Sequence, residues 1–298
     1  VPEEQVWLAG LKSEQTRRAY RRDVAHFIAT LGITSSEDLY RADHRAVTYW
    51  EHRMREVEGL EPSTIRRRLS ALSSLFSHLV NYGSANVNPV REIKRPEIDR
   101  SEGLTPAFSQ AQARRILDAP ETDTIQGLRD RAILSVGFQV GLRRAEIASL
   151  MVDALHQNAG FDCLRVKRKR KKNRQSVTVN PQCVQRIRDY LAAAGHADDL
   201  AGPLFRPVAN NGRRTSARRH LAPDAIDRVL RKYASTVGCG HGFSAHSMRA
   251  TFATNALKNG ADIAEVQRTL GHAHVATTKL YDKRGHSPEK AASFFANY

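Results

Sequence analysis

The sequence predicts a mainly α fold with one small β-hairpin, divided between two domains, and three observations predict it. Apolar residues recur at helical spacing along most of the chain, one polar and proline-broken stretch interrupts them, and one cationic run is bracketed by short β-branched segments. With 298 residues, 41% of them hydrophobic, the chain is long enough to bury two cores.

Residues 1–90 read as helices only. From Thr16 to Leu31, Tyr20, Val24, Phe27, Ile28 and Leu31 share one helical face, with arginines on the other. From Ser63 to Tyr82, Ile65, Leu69, Leu72, Leu75, Phe76 and Leu79 form a second stripe, with Ser63 as the expected N-cap. Arg66, Arg67 and Arg68 crowd its first turns, where they can grip backbone phosphates or simply line a solvated face. Asn88-Pro89 closes this block. Residues 91–104 are polar, charged, interrupted by Pro96 and without periodicity, so they read as a linker, and residues 105–298 form the second domain.

Helices are then expected from Ser109 to Asp118 and from Gln126 to Val140, the second ended by Gly141. Residues 161–179 break the helical pattern. Cys163, Leu164 and Val166 on one side and Val177, Thr178 and Val179 on the other flank Arg165, Lys167, Arg168, Lys169, Arg170, Lys171, Lys172 and Arg174, with no acid among them. That pattern predicts a hairpin whose cationic tip is attracted to DNA. A solvated tail or a localisation signal is the competing reading, weakened because the run sits inside a domain. Arg206 to His220 reads as an exposed basic loop.

With 47 Lys+Arg against 31 Asp+Glu, a net charge of +16 and a pI near 10.2, the natural partner is a polyanion, most simply nucleic acid. Cys163, Cys183 and Cys239 lie far apart, and their odd number argues against a disulfide framework and for a reducing cytosol. No apolar run is long enough to span a membrane, and the opening residues lack an export signal. The start at Val1 rather than Met is what a trimmed leader would leave.

The chemistry sits in four segments. Gly141-Leu142-Arg143-Arg144-Ala145-Glu146 places Arg143 near a helix N-terminus, where the macrodipole also favours an anion, with Glu146 three residues on to orient a cation. His246 and Arg249 stand at i and i+3 of a helix, so one can move a proton while the other clamps an oxygen. Leu270-Gly271-His272 ends the next helix through its glycine. Tyr281 follows, flanked by Lys279, Asp282 and Lys283, which do not look like core. Taken singly each pair has a structural reading. Together they provide cations for a phosphodiester that gathers negative charge and a hydroxyl nucleophile to attack it.

On these GLRxxE, HxxR, LGH and tyrosine motifs, and on the two helical stripes before residue 90, the chain resembles the tyrosine recombinases of the phage integrase and Xer type. The resemblance implies a helical SAM-like core-binding domain and a mixed α/β, mostly helical catalytic domain. It also implies that Arg143 and Arg249 bind the scissile phosphate, His272 donates to it, His246 assists proton transfer and Glu146 buttresses. Tyr281 would attack to give a 3′-phosphotyrosyl link and a free 5′-hydroxyl, so strands rejoin without ATP, metal or any other cofactor. A hairpin lysine would protonate the departing oxygen. Family spacing favours Lys169, but Arg168 and Arg170 stand where the family has glycines, which leaves Lys171 and Lys172 open. Ala250 stands where the family often has histidine.

The implied partner is double-stranded DNA with an inverted-repeat core site, bound by a homotetramer in synapsis or together with a second recombinase, in the cytoplasm at the nucleoid. Arg66, Arg67, Arg68, Arg168, Arg170, Lys171, Lys172 and Arg174 are the expected DNA contacts. The tail, residues 282–298, carries Ala291, Phe294, Phe295 and Tyr298 on one helical face, to dock on its own domain or on a neighbouring subunit. Three alternatives compete: a type IB topoisomerase, a DNA-binding relative without catalysis, and a metal hydrolase built on the late histidines. The separate N-terminal domain, the retained motif residues and the scarcity of carboxylates among those histidines count against them in turn.

Overall fold

The computed structural model describes residues 3–97, 105–168, 173–209, 215 and 217–282, and the chain falls into two compact units, Val1–Gly103 and Leu104–Tyr298. Lys169, Arg170, Lys171, Lys172 and the tail from residue 283 lie outside the described residues.

The first unit is helical throughout: α1 (Glu3–Gly10), α2 (Glu14–Leu31), α3 (Ser36–Tyr40), α4 (His44–His52) with a π-helical turn Arg53–Val57, and α5 (Pro62–Asn81). Each start has a local cause. Ser13 caps α2 by accepting from the Thr16 N–H, and Asp43 caps α4 by accepting from Arg45 and Ala46. Ser63 is not the cap of α5. Glu61 holds that position, because Pro62 at N1 has its φ already set for a helix and no N–H to satisfy. The predicted stripes of α2 and α5 meet around Phe27, Trp50, Met54, Ile65, Leu69, Leu72 and Phe76, all without solvent exposure. Burying each such side chain contributes about 1.5–3 kcal/mol before entropy is counted.

Residues 91–97, expected as linker, dock on this unit. Ile93 packs on its core, Arg95 donates to Ser70 Oγ at 2.7 Å, and the Pro96 carbonyl accepts from Arg66 at 3.0 Å. Polar composition misled here because these contacts are made through side-chain forks and a backbone carbonyl, which leave no apolar periodicity.

The second unit opens with α6 (Gln110–Asp118), set by a capping box between Ser109 and Gln112. Then α7 (Ile125–Ser135) continues through a π-helical turn, Val136–Val140, and ends at Gly141 with φ +69°. A short α8 (Arg144–Ala148) and a 3₁₀ turn, Val152–Ala154, lead into an antiparallel sheet of order β1-β2-β3, formed by β1 (Leu155–Asn158), β2 (Phe161–Lys167) and β3 (Arg174–Thr178). Strands β2 and β3 are the predicted hairpin, with Lys167 opposite Arg174 as the last pair before the tip. Strand β1 was not legible. Leu155-His156-Gln157-Asn158 has one apolar residue, and its turn to β2 uses Ala159 at φ 49° before Gly160 at φ 81°, an unusual residue for a primed turn.

Helices α9 (Pro181–Ala194), α10 (Pro223–Thr236), α11 (Ala245–Lys258), α12 (Ile263–Leu270) and α13 (Val275–Lys279) complete the described unit. The main core joins α6, α7, the sheet, α9 and α10, while Ala250, Ala253, Leu257, Val266, Leu270 and Tyr281 form a smaller cluster between α11 and α12. Arg206, expected in an exposed loop, is buried: its guanidinium pairs with Asp199, which also takes two 2.7 Å bonds from Arg218. No described helix is long and apolar enough to cross a membrane.

Candidate active site

The site is assembled where three chain segments end. Gly141 closes the α7 extension in the left-handed region, and a Cβ there would lie 2.6 Å from Phe252 and 2.8 Å from Leu270. Only glycine lets the backbone approach α11 and α12 this closely. The approach puts the Gly141 carbonyl within reach of α11, and Arg143, extended at φ −70° and ψ 150°, immediately before α8. Arg143 Nη1 donates to Glu146 Oε1 at 2.8 Å, and its backbone N–H donates to Oε2 at 2.9 Å. About a third of the Arg143 side chain (36%) stays open to solvent.

Helix α11 starts at Ser244, whose hydroxyl accepts from the His246 N–H, and at Asp227 of α10, whose Oδ1 accepts from the Ala245 N–H at 2.7 Å. The other Asp227 oxygen accepts from Arg144, so one carboxylate fixes the start of α8 to the start of α11. Three residues apart, His246 is exposed at the rim and Arg249 is completely buried. Arg249 Nη1 donates to the Gly141 carbonyl at 2.7 Å and Nη2 to the Leu270 carbonyl at 2.6 Å, while its buried Nε has no hydrogen-bond partner among the described residues. Carbonyls satisfy hydrogen bonds but carry no counter-charge. The Arg249 cation is therefore held in place without being neutralised.

Gly271, at φ +64°, turns α12 into His272, whose Nδ1 lies 2.8 Å from the Thr278 hydroxyl. The His272 and Tyr281 rings stack at 6.3 Å with an interplanar angle of 19°. Tyr281 is buried (8% exposed), contrary to the expectation from its charged neighbours, because α13 folds its ring back into the small cluster with Leu270 and Val266.

Burial, then the charges of Arg249 and Arg143, push the His272 imidazole down to about 3, so it is neutral at physiological pH. The His246 pKa is also lowered, first because its ring is partly shielded from water although the residue as a whole is exposed, then by the charges of Arg249 and Arg143. Burial followed by the charge of Arg143 brings Arg249 down to about 9. Burial raises the Tyr281 phenol, with the two arginines opposing it. After burial, the second cause of each shift is positive charge nearby, which an arriving anion relieves.

A cleft of about 1150 Å³ opens beside these groups, lined by Arg143, Arg168, Gln175, Gln267, Gly271 and His272 among others. Arg143, Glu146, Arg249, His272 and Tyr281 thus come together. Arg174 is partly exposed and faces Asp153 at 3.5 Å. Arg168, expected on DNA, turns inward instead and is buried, donating to Glu146 Oε2 at 2.7 Å and to the Thr269 carbonyl. In the first unit, Arg67 pairs with buried Asp23, Arg68 with Glu58 at 3.5 Å, and Arg66 with the Pro96 carbonyl, so all three have internal partners. Asp227 and Thr278 escaped the sequence reading, Asp227 because its partners lie 18 and 83 residues away and Thr278 because a threonine in no motif carries no signal of its own.

Residues 107–286 match the phage integrase family, and residues 3–83 match the phage integrase N-terminal SAM-like domain. Tyrosine recombinase XerD of Neisseria meningitidis serogroup B is 30% identical over 286 residues, covering 93% of this chain and 90% of the relative. Among solved structures, the XerH site-specific recombinase bound to palindromic difH substrate in a post-cleavage complex superposes with TM-score 0.70 at 19% identity, covering 94% of this chain and 80% of that one. A lambda integrase tetramer bound to a Holliday junction gives TM-score 0.69 at 12% identity, covering 97% of this chain and 78% of that one. Family match, curated relatives and fold agree, and the chain belongs to the phage integrase family as a tyrosine site-specific recombinase.

Proposed function

We propose that Arg143 and Arg249 clamp the scissile phosphate, His272 donates a hydrogen bond to it as a neutral imidazole, and Tyr281 attacks the phosphorus. The observation that carries this reading is the Leu270 carbonyl, which accepts from Arg249 at 2.6 Å and lies 3.5 Å from Arg143 Nη1, drawing both forks to one point two residues from His272. Attack forms the Tyr281 Oη–phosphorus bond and breaks the bond to the 5′ oxygen, which takes a proton as it leaves. The phosphotyrosyl ester keeps the energy of the phosphodiester, so religation needs no ATP.

A neutral His246 at the rim is suited to accept the phenolic proton. Lys169 supplies the proton to the leaving oxygen, with Lys171 and Lys172 as the competing donors. Lys169→Ala cleavage should then be rescued by a 5′-thiol leaving group, and rescue confined to Lys171→Ala or Lys172→Ala would move the assignment. Burial raises the Tyr281 pKa and the charges of Arg249 and Arg143 oppose it, so the cations of the site favour deprotonation of the attacking phenol.

The partner is double-stranded DNA with an inverted-repeat core site, held by Arg170, Lys171, Lys172, Arg174 and the first unit's basic helix faces. The functional assembly is a tetramer in synapsis, of this chain alone or with a second recombinase. The lambda integrase tetramer on a Holliday junction, which shares the fold, supports that stoichiometry. Most of the affinity comes from phosphate contacts and falls steeply with salt.

The test is incubation with a nicked library of genomic DNA in EDTA, followed by denaturing electrophoresis, with Tyr281→Phe alongside. A covalent adduct lost in the variant is the expected result, and sequencing its DNA locates the target. Tight binding with no adduct from the wild-type chain would count against the nucleophile.

A further inference from the structure

Arg168 is a buried cation of the second unit that touches the clamp residues without belonging to the clamp. Arg168 follows the last β2–β3 pair, is 5% exposed, and binds three separate segments through its guanidinium. Nη1 donates to Glu146 Oε2 of α8 at 2.7 Å, Nη2 to the Thr269 carbonyl at the end of α12, and Nε to Gln175 Oε1 of β3 at 3.1 Å. Gln175 in turn donates to the Arg268 carbonyl at 2.9 Å. The fit is close. A Cβ on Gly271 would stand 3.0 Å from Arg168 Nε, so the turn that presents His272 is shaped around this side chain.

Glu146 is consequently shared. Its Oε1 takes Arg143 Nη1, while Oε2 takes Arg168 and the Arg143 backbone N–H. A carboxylate beside a single arginine pairs with it as a two-pronged fork and neutralises it. Divided between two guanidinium groups, it can orient Arg143 without cancelling its charge.

We propose that Arg168 is a positioning residue for phosphate activation. It occupies one oxygen of Glu146 so that the Arg143 guanidinium is not taken up by a two-pronged pair and stays aimed at the cleft, and it ties that arrangement to the His272 turn. The inference rests on the reading of Arg143 as a phosphate ligand. Without Arg168, Glu146 closes on Arg143 and competes with the substrate for it. The resulting defect lies in stabilising charge on the phosphate, not in binding DNA.

The experiment uses the full chain and the duplex recovered from the adduct, made once with the ordinary phosphodiester and once with a neutral methylphosphonate at the scissile position. Arg168→Ala should cleave the phosphodiester ~10–100-fold more slowly at unchanged DNA affinity, in the range of losing one charge-stabilising donor. On the methylphosphonate, which lacks the charge that Arg143 neutralises, the deficit should shrink to within ~3-fold, as should that of Arg143→Ala. Arg168→Lys keeps one ion pair but not the three-way fork, and should show a smaller deficit with the same rescue. It carries the test alone if the alanine variant does not fold.

Equal slowing on both substrates, or wild-type cleavage by Arg168→Ala, overturns the inference. Slow Arg143→Ala beside unimpaired Arg168→Ala removes this inference alone. Normal cleavage by Arg143→Ala removes the clamp reading and this inference with it.

Discussion

Arg67 and Arg68 of the first unit and Arg249 of the second have opposite kinds of partner. In the first, Arg67 meets the buried carboxylate of Asp23 and Arg68 lies near Glu58, so charge meets charge. In the second, Arg249 donates to two carbonyls, and Arg143 shares one carboxylate with Arg168. A carboxylate competes with other anions for an arginine, whereas a carbonyl only fixes its direction. Sequence alone ranks these residues alike. The partner decides which of them can still hold a phosphate.

Exchanging arginines across the two units gives the largest expected effect. Arg143→Ala and Arg249→Ala should cleave at least ~100-fold more slowly while still binding DNA, and Arg67→Ala should stay within ~2-fold of wild type. Comparable losses in Arg67→Ala and Arg249→Ala would break the distinction. Arg249→Ala should also melt earlier, since the Gly141 and Leu270 carbonyls lose their donors, at about 1–3 kcal/mol for each buried group left unsatisfied.

Next comes Gly141→Ala. The added Cβ collides with Phe252 and Leu270 and forces a left-handed φ on alanine, so about 2–3 kcal/mol of stability should be lost with cleavage impaired. A variant as stable as wild type would show that the approach of α7 to α11 is slack.

Asp23→Ala should destabilise the first unit by about 1–2 kcal/mol, discounted because Arg67 is partly solvated, and should leave the chemical step unchanged once DNA is bound. Thermal melts and single-turnover cleavage together check this. A slower chemical step in this variant would mean that the first unit's ion pair feeds the reaction.

The last prediction concerns pH. Unfolded, His272 takes its proton near the ordinary 6.5, whereas folded it does so only near 3. Across that window the unfolded chain binds a proton that the folded chain refuses, so stability should fall as pH falls from about 6.5. Melting His272→Asn over this range should show a flatter slope. An unchanged slope would place the titrating group elsewhere.

Much of the helical framework was legible because it follows from local rules. The stripes of α2 and α5, the end of α7 at Gly141 and the turn at Gly271 are each written within a few residues. The motif residues Arg143, Glu146, Arg249, His272 and Tyr281 were legible as a set, because together they match one chemistry and one family. What misled were inferences from neighbours. Tyr281 looked exposed beside charged residues and is buried, and Arg168 looked like one more cation of a DNA-facing run and points inward.

By itself, then, the sequence determined the helical periodicities, the glycine turns, the charge and the family motifs on which the proposed reacting groups lie, all properties of residue type and short spacing. Tertiary structure alone decided which arginines meet carboxylates and which meet carbonyls, that Asp227 joins α8 to α11, and that Glu146 is divided between Arg143 and Arg168. Those outcomes depend on which acceptor lies within about 3 Å of each donor. The acceptors here are backbone carbonyls and carboxylates distant along the chain, and only folding brings them within reach.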